Sequence, residues 1–260
     1  MALTYSSYLK LDELLALQQP VSDGPEHDET LFIVIHQVYE LWFKELLHEV
    51  DYLQVVLGRG DLARSQHTLK RVLTILKVLV HQIDVLETMT PLEFLSFRAR
   101  LESGSGFQSF QFRELEFALG YKRPEALKRY LPSSEPHTRL ERRLAEPTLW
   151  DAFVRALQAR GHAVPAEALE RDVTQPVASM PSLHPVLLAA YRKDPEAREL
   201  CERMVDLDEG IMEWRYRHVK MVERTIGGRP GTGGSAGAAY LRSTTNQPLF
   251  PDLWEIRTEL

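Results

Sequence analysis

The chain has 260 residues, 44% of them hydrophobic, a formal net charge of -6 and a single cysteine, Cys201. These values allow a sizeable core and argue against nucleic acid or an anionic membrane as a partner. They exclude an intramolecular disulfide, an all-cysteine iron–sulfur site within one chain and a Cys-x-x-Cys-His haem attachment. Charges interrupt the N-terminal apolar residues and no apolar run approaches membrane-spanning length, so the expectation is a cytoplasmic protein.

In chain order, Tyr5 and Tyr8 stand on an exposed N-terminal arm, residues 1–20, ahead of a short helix expected over about residues 9–17. Residues 18–26 carry two prolines and a glycine and read as a loop. Pro25 or Asp28 then opens a long helix by N1 or N-cap chemistry, running to about Leu57. Its apolar positions form two stripes, Leu31, Ile35, Val38, Trp42 and Leu46 beside Phe32, Tyr39 and Phe43, which is too much of the circumference for a surface helix. His36 sits among them, one turn after Phe32. A satisfied core histidine and a histidine with a chemical task both fit that position.

Gly58-Arg-Gly-Asp61 ends this helix, and Asp61 caps a second, antiparallel to the first, with Leu62, Leu69, Val72, Leu76, Leu79, Ile83 and Leu86 at helical spacing. Thr90-Pro-Leu-Glu93 is a capping box that starts a helix ending near Ser103-Gly-Ser-Gly106. On it Phe94, Arg98 and Leu101 fall at i, i+4 and i+7, so one face presents a ring, a guanidinium and an aliphatic group. Phe107 to Leu119 reads as an aromatic-rich helix closed by Gly120. Residues 121–194 are proline-punctuated and read as a helical insertion on a single domain spanning 1–260. Short helices are plausible there over 124–131, 136–145 and 148–160. His137, His162 and His184 stand in loop-like surroundings with no second ligand at zinc spacing, and take no role.

The last long helix covers 195–226, with Leu200, Met204, Leu207, Ile211, Trp214, His218, Met221 and Thr225 on its buried stripe and Glu213, Arg215, Arg217, Lys220 and Glu223 on the flanks. A glycine-rich run follows, Gly227 to Gly237. Its G-x-G-x-x-A match lacks the strand–helix context of a dinucleotide site. A lid carrying the hydroxyls of Thr232 and Ser235 and a linker are both open readings. No H-E-x-x-H or cysteine pair is present, and neither Ser103 nor Ser105 sits in a G-x-S-x-G elbow. Non-covalent haem in an apolar helical pocket needs one axial histidine, with a second able to face it. His218 and His36 suit those places, against the alternative of a helical protein with two core histidines.

Three blocks go further. His27-Asp-Glu through Lys44, Phe97-Arg-Ala-Arg-Leu-Glu-Ser-Gly-Ser-Gly-Phe-Gln through Glu116, and Trp214-Arg through His218 to Gly231-Thr-Gly-Gly-Ser235 resemble the tryptophan 2,3-dioxygenase family across nearly the whole chain. The resemblance implies an all-α bundle of long antiparallel helices enclosing haem b, ferrous when active, in a homotetramer. It implies insertion of both atoms of dioxygen across the indole C2–C3 bond of L-tryptophan to give N-formyl-L-kynurenine. By the same resemblance His218 is the haem-iron ligand and His36 the catalytic distal histidine beside the indole N–H. Phe32, Phe94 and Leu101 wall the indole, while Arg98 grips the substrate carboxylate and Thr232 reaches its ammonium and carboxylate. Ser105 and Gly106 run over the distal haem face, and Tyr5 and Tyr8 complete a neighbouring subunit's pocket. Phe94 lacks a hydroxyl that some members carry, Ala236 replaces a common serine and Glu45 a usual glutamine. A haem sensor or carrier is the alternative function, though it gives Arg98 and Thr232 no work.

Overall fold

The computed structural model describes residues 2–233 and 237–260, and every regular element among them is helical. The N-terminal arm forms α1 (Tyr5–Leu9) and α2 (Leu11–Leu15) in place of one helix, because Lys10 between them is left-handed, with φ 55°. A lysine there interrupts the right-handed path. Neither helix buries a residue.

Helix α3 (His27–Gly58) is capped by Glu26, not by Pro25 or Asp28, and no side chain caps it among the described residues. The first-turn carboxylate of Glu29 turns back instead, accepting the Val21 and Ser22 N–H groups at 2.7 and 3.1 Å and tying the preceding loop to the helix. Full enclosure does not hold: Leu46, Val50, Leu53 and Leu57 are buried, whereas Val34, Leu41, Tyr52 and Val55 remain exposed on the other side. Asp61 caps α4 (Leu62–Leu86) by accepting from the Arg64 N–H at 2.9 Å.

The capping box of Thr90 and Glu93 opens α5 (Pro91–Arg98), which is shorter than expected. The chain tightens into a 3-10 turn over Ala99–Leu101 and another over Gly106–Gln108. Ser109 then accepts from the Phe112 N–H, delaying α6 (Phe110–Leu119) by three residues. Gly120 closes α6 at φ 115°, where a Cβ would meet Val177 Cγ2 at 2.6 Å, so both backbone and space require glycine.

The next segment holds α7 (Glu135–Ala145), α8 (Leu149–Ala159), α9 (Ala166–Leu169) and α10 (His184–Lys193), with a 3-10 helix over Pro124–Arg129. Leu149, Trp150 and Phe153 of α8 and Leu187 and Tyr191 of α10 belong to the main core. Asp194 caps α11 (Pro195–Ile226) through the Ala197 N–H. Short helices α12 (Ala238–Arg242) and α13 (Pro251–Glu255) finish the chain.

Packing follows from the apolar stripes. Helix α4 lies against both α3 and α11. Leu53 of α3, Leu69 and Leu79 of α4 and Met204 of α11 are completely enclosed in one core, each large apolar group stabilising the fold by about 1.5–3 kcal/mol. The C-terminal segment is fastened by Asp208 on α11, whose buried carboxylate accepts the N–H groups of Leu249 and Phe250 and the Trp254 indole N–H, all at 2.9–3.0 Å. Away from this core, Ile35, Leu86, Met89, Phe94 and Phe97 form a second cluster with Phe32 and Leu101 packed on it. That cluster makes one wall of a cavity.

Candidate active site

The cavity lies between α3, α5, α6 and α11 and is roofed by the glycine-rich run. Its lining contains Phe32, His36, Phe94, Arg98, Leu101, Ser105, Gly106, His218 and Thr232 together. It holds about 1610 Å³ of atom-free space, part of it continuous with solvent. Tyr5 and Tyr8 are not in the lining and stand 75% and 70% exposed.

Phe32 and His36 share one face of α3 because they are one turn apart, and their rings lie 4.1 Å centroid to centroid. Phe94 and Phe97 close around Phe32 at 5.7 and 5.5 Å. His36 Nδ1 is 2.7 Å from the Phe32 carbonyl oxygen, which can only accept, so in the neutral ring Nδ1 carries the hydrogen. Nε2 is thereby left as an acceptor, on the side of Gly106. Burial holds this imidazole below the ordinary histidine range, outweighing the opposite pulls of the Phe32 carbonyl and Glu40.

His218 lies on the inward stripe of α11. Burial, with repulsion from His36 and Arg113, pulls its imidazole down to about 4, leaving it neutral near pH 7, the form that offers a lone pair to a metal. One turn earlier, Trp214 stacks on the ring at 5.1 Å and 5°. Phe112, Phe43 and Tyr39 pack on Trp214 at 4.7, 6.1 and 6.3 Å. The Tyr39 hydroxyl donates to the Leu79 carbonyl at 2.7 Å, anchoring that group to α4. The plane of His218 is therefore set by stacked rings, and no hydrogen bond to its ring occurs among the described residues.

At the mouth, Arg98 Nη2 donates to the Pro230 carbonyl at 2.8 Å and the Thr232 hydroxyl donates to the Gly104 carbonyl at 2.6 Å. Both contacts join the glycine-rich run to the segment after α5. A Cβ on Gly233 would lie 2.8 Å from the Ser105 Cβ, so this approach depends on glycine. The lid reading fits this placement. Ser235 and Ala236 lie outside the described residues. Arg98 has no carboxylate partner among the described residues.

Sequence reasoning missed one part of the lining. Arg113, Arg123 and Arg215 converge on Glu116, donating to its oxygens at 2.5, 2.7 and 3.0 Å. Arg215, expected on a polar flank, is 3% exposed, because α6 and the C-terminal segment cover that side of α11; its Nη1 donates to the carbonyls of Thr244 and Gln247. Burial pushes the Glu116 carboxyl up, but the three guanidiniums outweigh it and hold it ionised. Two further carboxylates are nearby: Asp208, engaged by the C-terminal backbone, and Glu40, which lines the cavity and accepts from the Gln111 amide at 2.8 Å. Three guanidiniums thus share one carboxylate, and Arg113, Glu116 and Arg215 line the cavity. The Nε atoms of Arg113, Arg123 and Arg215 are buried without a hydrogen-bond partner among the described residues. The available signal was Arg113 and Glu116 at i, i+3 inside the aromatic run of α6, since charges on a buried face are rarely accidental.

These residues fit haem. A neutral imidazole faces a largely apolar cavity, and Arg113 and Arg215 in its lining offer positive charge that the propionates of an iron porphyrin would meet.

A family model described as tryptophan 2,3-dioxygenase matches residues 1–158 and 182–260. A tryptophan 2,3-dioxygenase of Herpetosiphon aurantiacus is 61% identical over 261 aligned residues, covering 100% of this chain and 99% of that protein. One from Anaeromyxobacter sp. strain K is 57% identical, covering 100% and 97%, and one from Caulobacter vibrioides 46% identical, covering 99% and 98%.

Proposed function

The chain belongs to the tryptophan 2,3-dioxygenase family, and from that premise we propose that its cavity takes ferrous haem b, whose iron His218 would hold, with L-tryptophan on the His36 side. The product is N-formyl-L-kynurenine, formed in the first step of tryptophan catabolism by the kynurenine pathway. One observation carries the residue assignments: two neutral histidines, a guanidinium with no carboxylate partner among the described residues and a loop hydroxyl share a single cavity.

Haem, when bound, supplies the iron chemistry that activates dioxygen. The protein binds, orients and encloses. Phe32, Phe94 and Leu101 wall the indole with apolar surface. His36 Nε2 accepts from the indole N–H; it orients the ring and is not an obligatory base, since an indole N–H is a very weak acid and the buried imidazole is itself held in its neutral form. Arg98 exchanges the Pro230 carbonyl for the substrate carboxylate, a stronger charge-assisted partner for a planar fork. Thr232 reaches the amino-acid end from the roof, and Ser105 and Gly106 cover the distal side and exclude water. Arg113 and Arg215 hold the propionates.

The assembly is a homotetramer in the cytoplasm. Support for the arm exchange is the exposed apolar surface of α1 and α2, where Leu3, Tyr5, Tyr8 and Leu15 face solvent in the single chain. No helix among the described residues is long and apolar enough to cross a membrane.

The test is anaerobic reduction of the haem-loaded protein followed by L-tryptophan and oxygen, with the haem spectrum and N-formylkynurenine absorbance followed together. Product should form with a perturbed haem spectrum. Haem binding without product would return the chain to the carrier reading.

A further inference from the structure

We infer that His184, Asp252 and Glu255 form a binding site for one divalent transition-metal ion, zinc being the best match, outside the haem cavity. None of the three lines that cavity.

His184 opens α10, and Asp252 and Glu255 lie three residues apart on α13, so both carboxylates rise from one side of that short helix toward the imidazole. His184 Nε2 is 2.9 Å from Asp252 Oδ1 and 3.6 Å from Glu255 Oε2, and one ligand atom from each residue falls within 4.8 Å of the others. Zinc bonds of about 2.0–2.2 Å in tetrahedral geometry place ligand atoms about 3.3–3.6 Å apart. The two measured gaps bracket that spacing, so closing the site needs side-chain adjustment and no movement of the helices.

Asp252 sharpens the case. It is completely enclosed, yet it has no lysine or arginine partner among the described residues. Its Oδ1 accepts the Met180 N–H at 2.7 Å as well as facing His184, while Oδ2 is buried and accepts nothing among the described residues. A second carboxylate beside it adds repulsion. One imidazole against two carboxylates leaves the cluster negative whether or not the ring is protonated, and a dication neutralises the pair while satisfying the idle oxygen. Glu255 is 48% exposed, which gives the ion a path from solvent, and Ser179 donates to its Oε2 at 2.6 Å, orienting the ligand. One nitrogen and two oxygens, with a fourth position open to water, is a donor set that zinc accepts. The ion joins the start of α10 to the C-terminal segment that Asp208 already pins to α11. Sequence spacing misses the site because 68 residues separate His184 from Asp252.

The haem-loaded full chain, freed of adventitious metal by a chelator, is titrated with zinc chloride by calorimetry, and bound zinc is counted by elemental analysis. One zinc per chain and a raised thermal midpoint are expected. Glu255→Gln should weaken binding by at least about tenfold, and His184→Gln should remove it, while both keep the helical circular-dichroism signal and the Soret band. No saturable uptake by the unaltered chain would reduce the trio to an ion pair. Equal affinity in both variants would place the zinc on other histidines. If His184→Gln does not fold, Glu255→Gln decides alone, since its half-exposed side chain tolerates the change.

Discussion

Replacing Glu116 with glutamine tests whether the arginine cluster is built for the cofactor. The carboxylate is 3% exposed and accepts from Arg113, Arg123 and Arg215 at 2.5, 2.7 and 3.0 Å. Glutamine keeps the volume but takes the counter-charge from two buried guanidiniums, Arg113 and Arg215, and from the partly buried Arg123. Breaking a buried ion pair costs about 3–5 kcal/mol, and that is the expected loss in the haem-free chain. By the proposed assignment, the propionates of bound haem would share the cluster. Since a hydrogen bond to a charged group contributes about 1.5–3 kcal/mol, the loss should be smaller by about that amount. Urea unfolding of the original chain and Glu116→Gln, each with and without haem, closes a thermodynamic cycle whose imbalance is the coupling between cluster and cofactor. Equal destabilisation with and without haem would show that the cofactor's carboxylates do not meet these arginines. A loss below about 1 kcal/mol in both forms would show that the cluster is not desolvated as its burial indicates.

Arg98→Ala should weaken substrate engagement by about 2–5 kcal/mol, the range for truncating one partner of a buried charge pair, and an unchanged KM for L-tryptophan would sink the assignment. His36→Ala should lower turnover without abolishing it; complete loss at normal haem content would make this histidine a required base. Replacing His218 with alanine should remove axial ligation, and an unaltered haem spectrum would refute the ligand assignment. Asp194→Ala should cost about 1–2 kcal/mol as the lost cap of α11. Arg160 beside it, with help from Ala197 N–H and His162, holds the Asp194 carboxyl well below the usual carboxylate range. Its contribution is therefore complete above the unfolded value near 4 and lost as pH falls through the lower folded value. The variant should show a flatter acid limb in urea midpoints measured downward from neutral pH, and an identical limb would contradict the pairing.

What was legible in the sequence had a local cause. The long helices α3, α4 and α11 announced themselves by apolar period, and Asp61, Thr90 and Gly120 marked ends through chemistry acting over three or four residues. Where the outcome depended on distant chain, the reading failed. The early end of α5 and the late start of α6, by a few residues at each end of a Gly- and Ser-rich segment, lie at the cavity mouth. Arg215 looked like a flank residue because only tertiary packing of α6 and the C-terminal segment covers it. His184 looked solitary because its partners arrive from the other end of the chain.

The same distinction explains the site. Helical spacing placed His36 and His218 on inward faces, but a face specifies a direction and not a partner, so core histidines and functional ones looked alike. The two rings differ in what each does with its nitrogens, which agrees with the proposed roles. A core histidine satisfies both; His36 uses Nδ1 on its own helix and turns Nε2 to the cavity, and His218 is held by stacking instead of hydrogen bonds. Polar side chains meet in one largely apolar space: His36, Arg98, Arg113 and Arg215 line the cavity, and the Nε atoms of Arg113 and Arg215 are buried without a partner among the described residues. Leaving buried polar groups unpaired costs stability, and the cost is sustained where a ligand completes the pairing. The positions that weaken the ligand-free chain are therefore those that define what it binds.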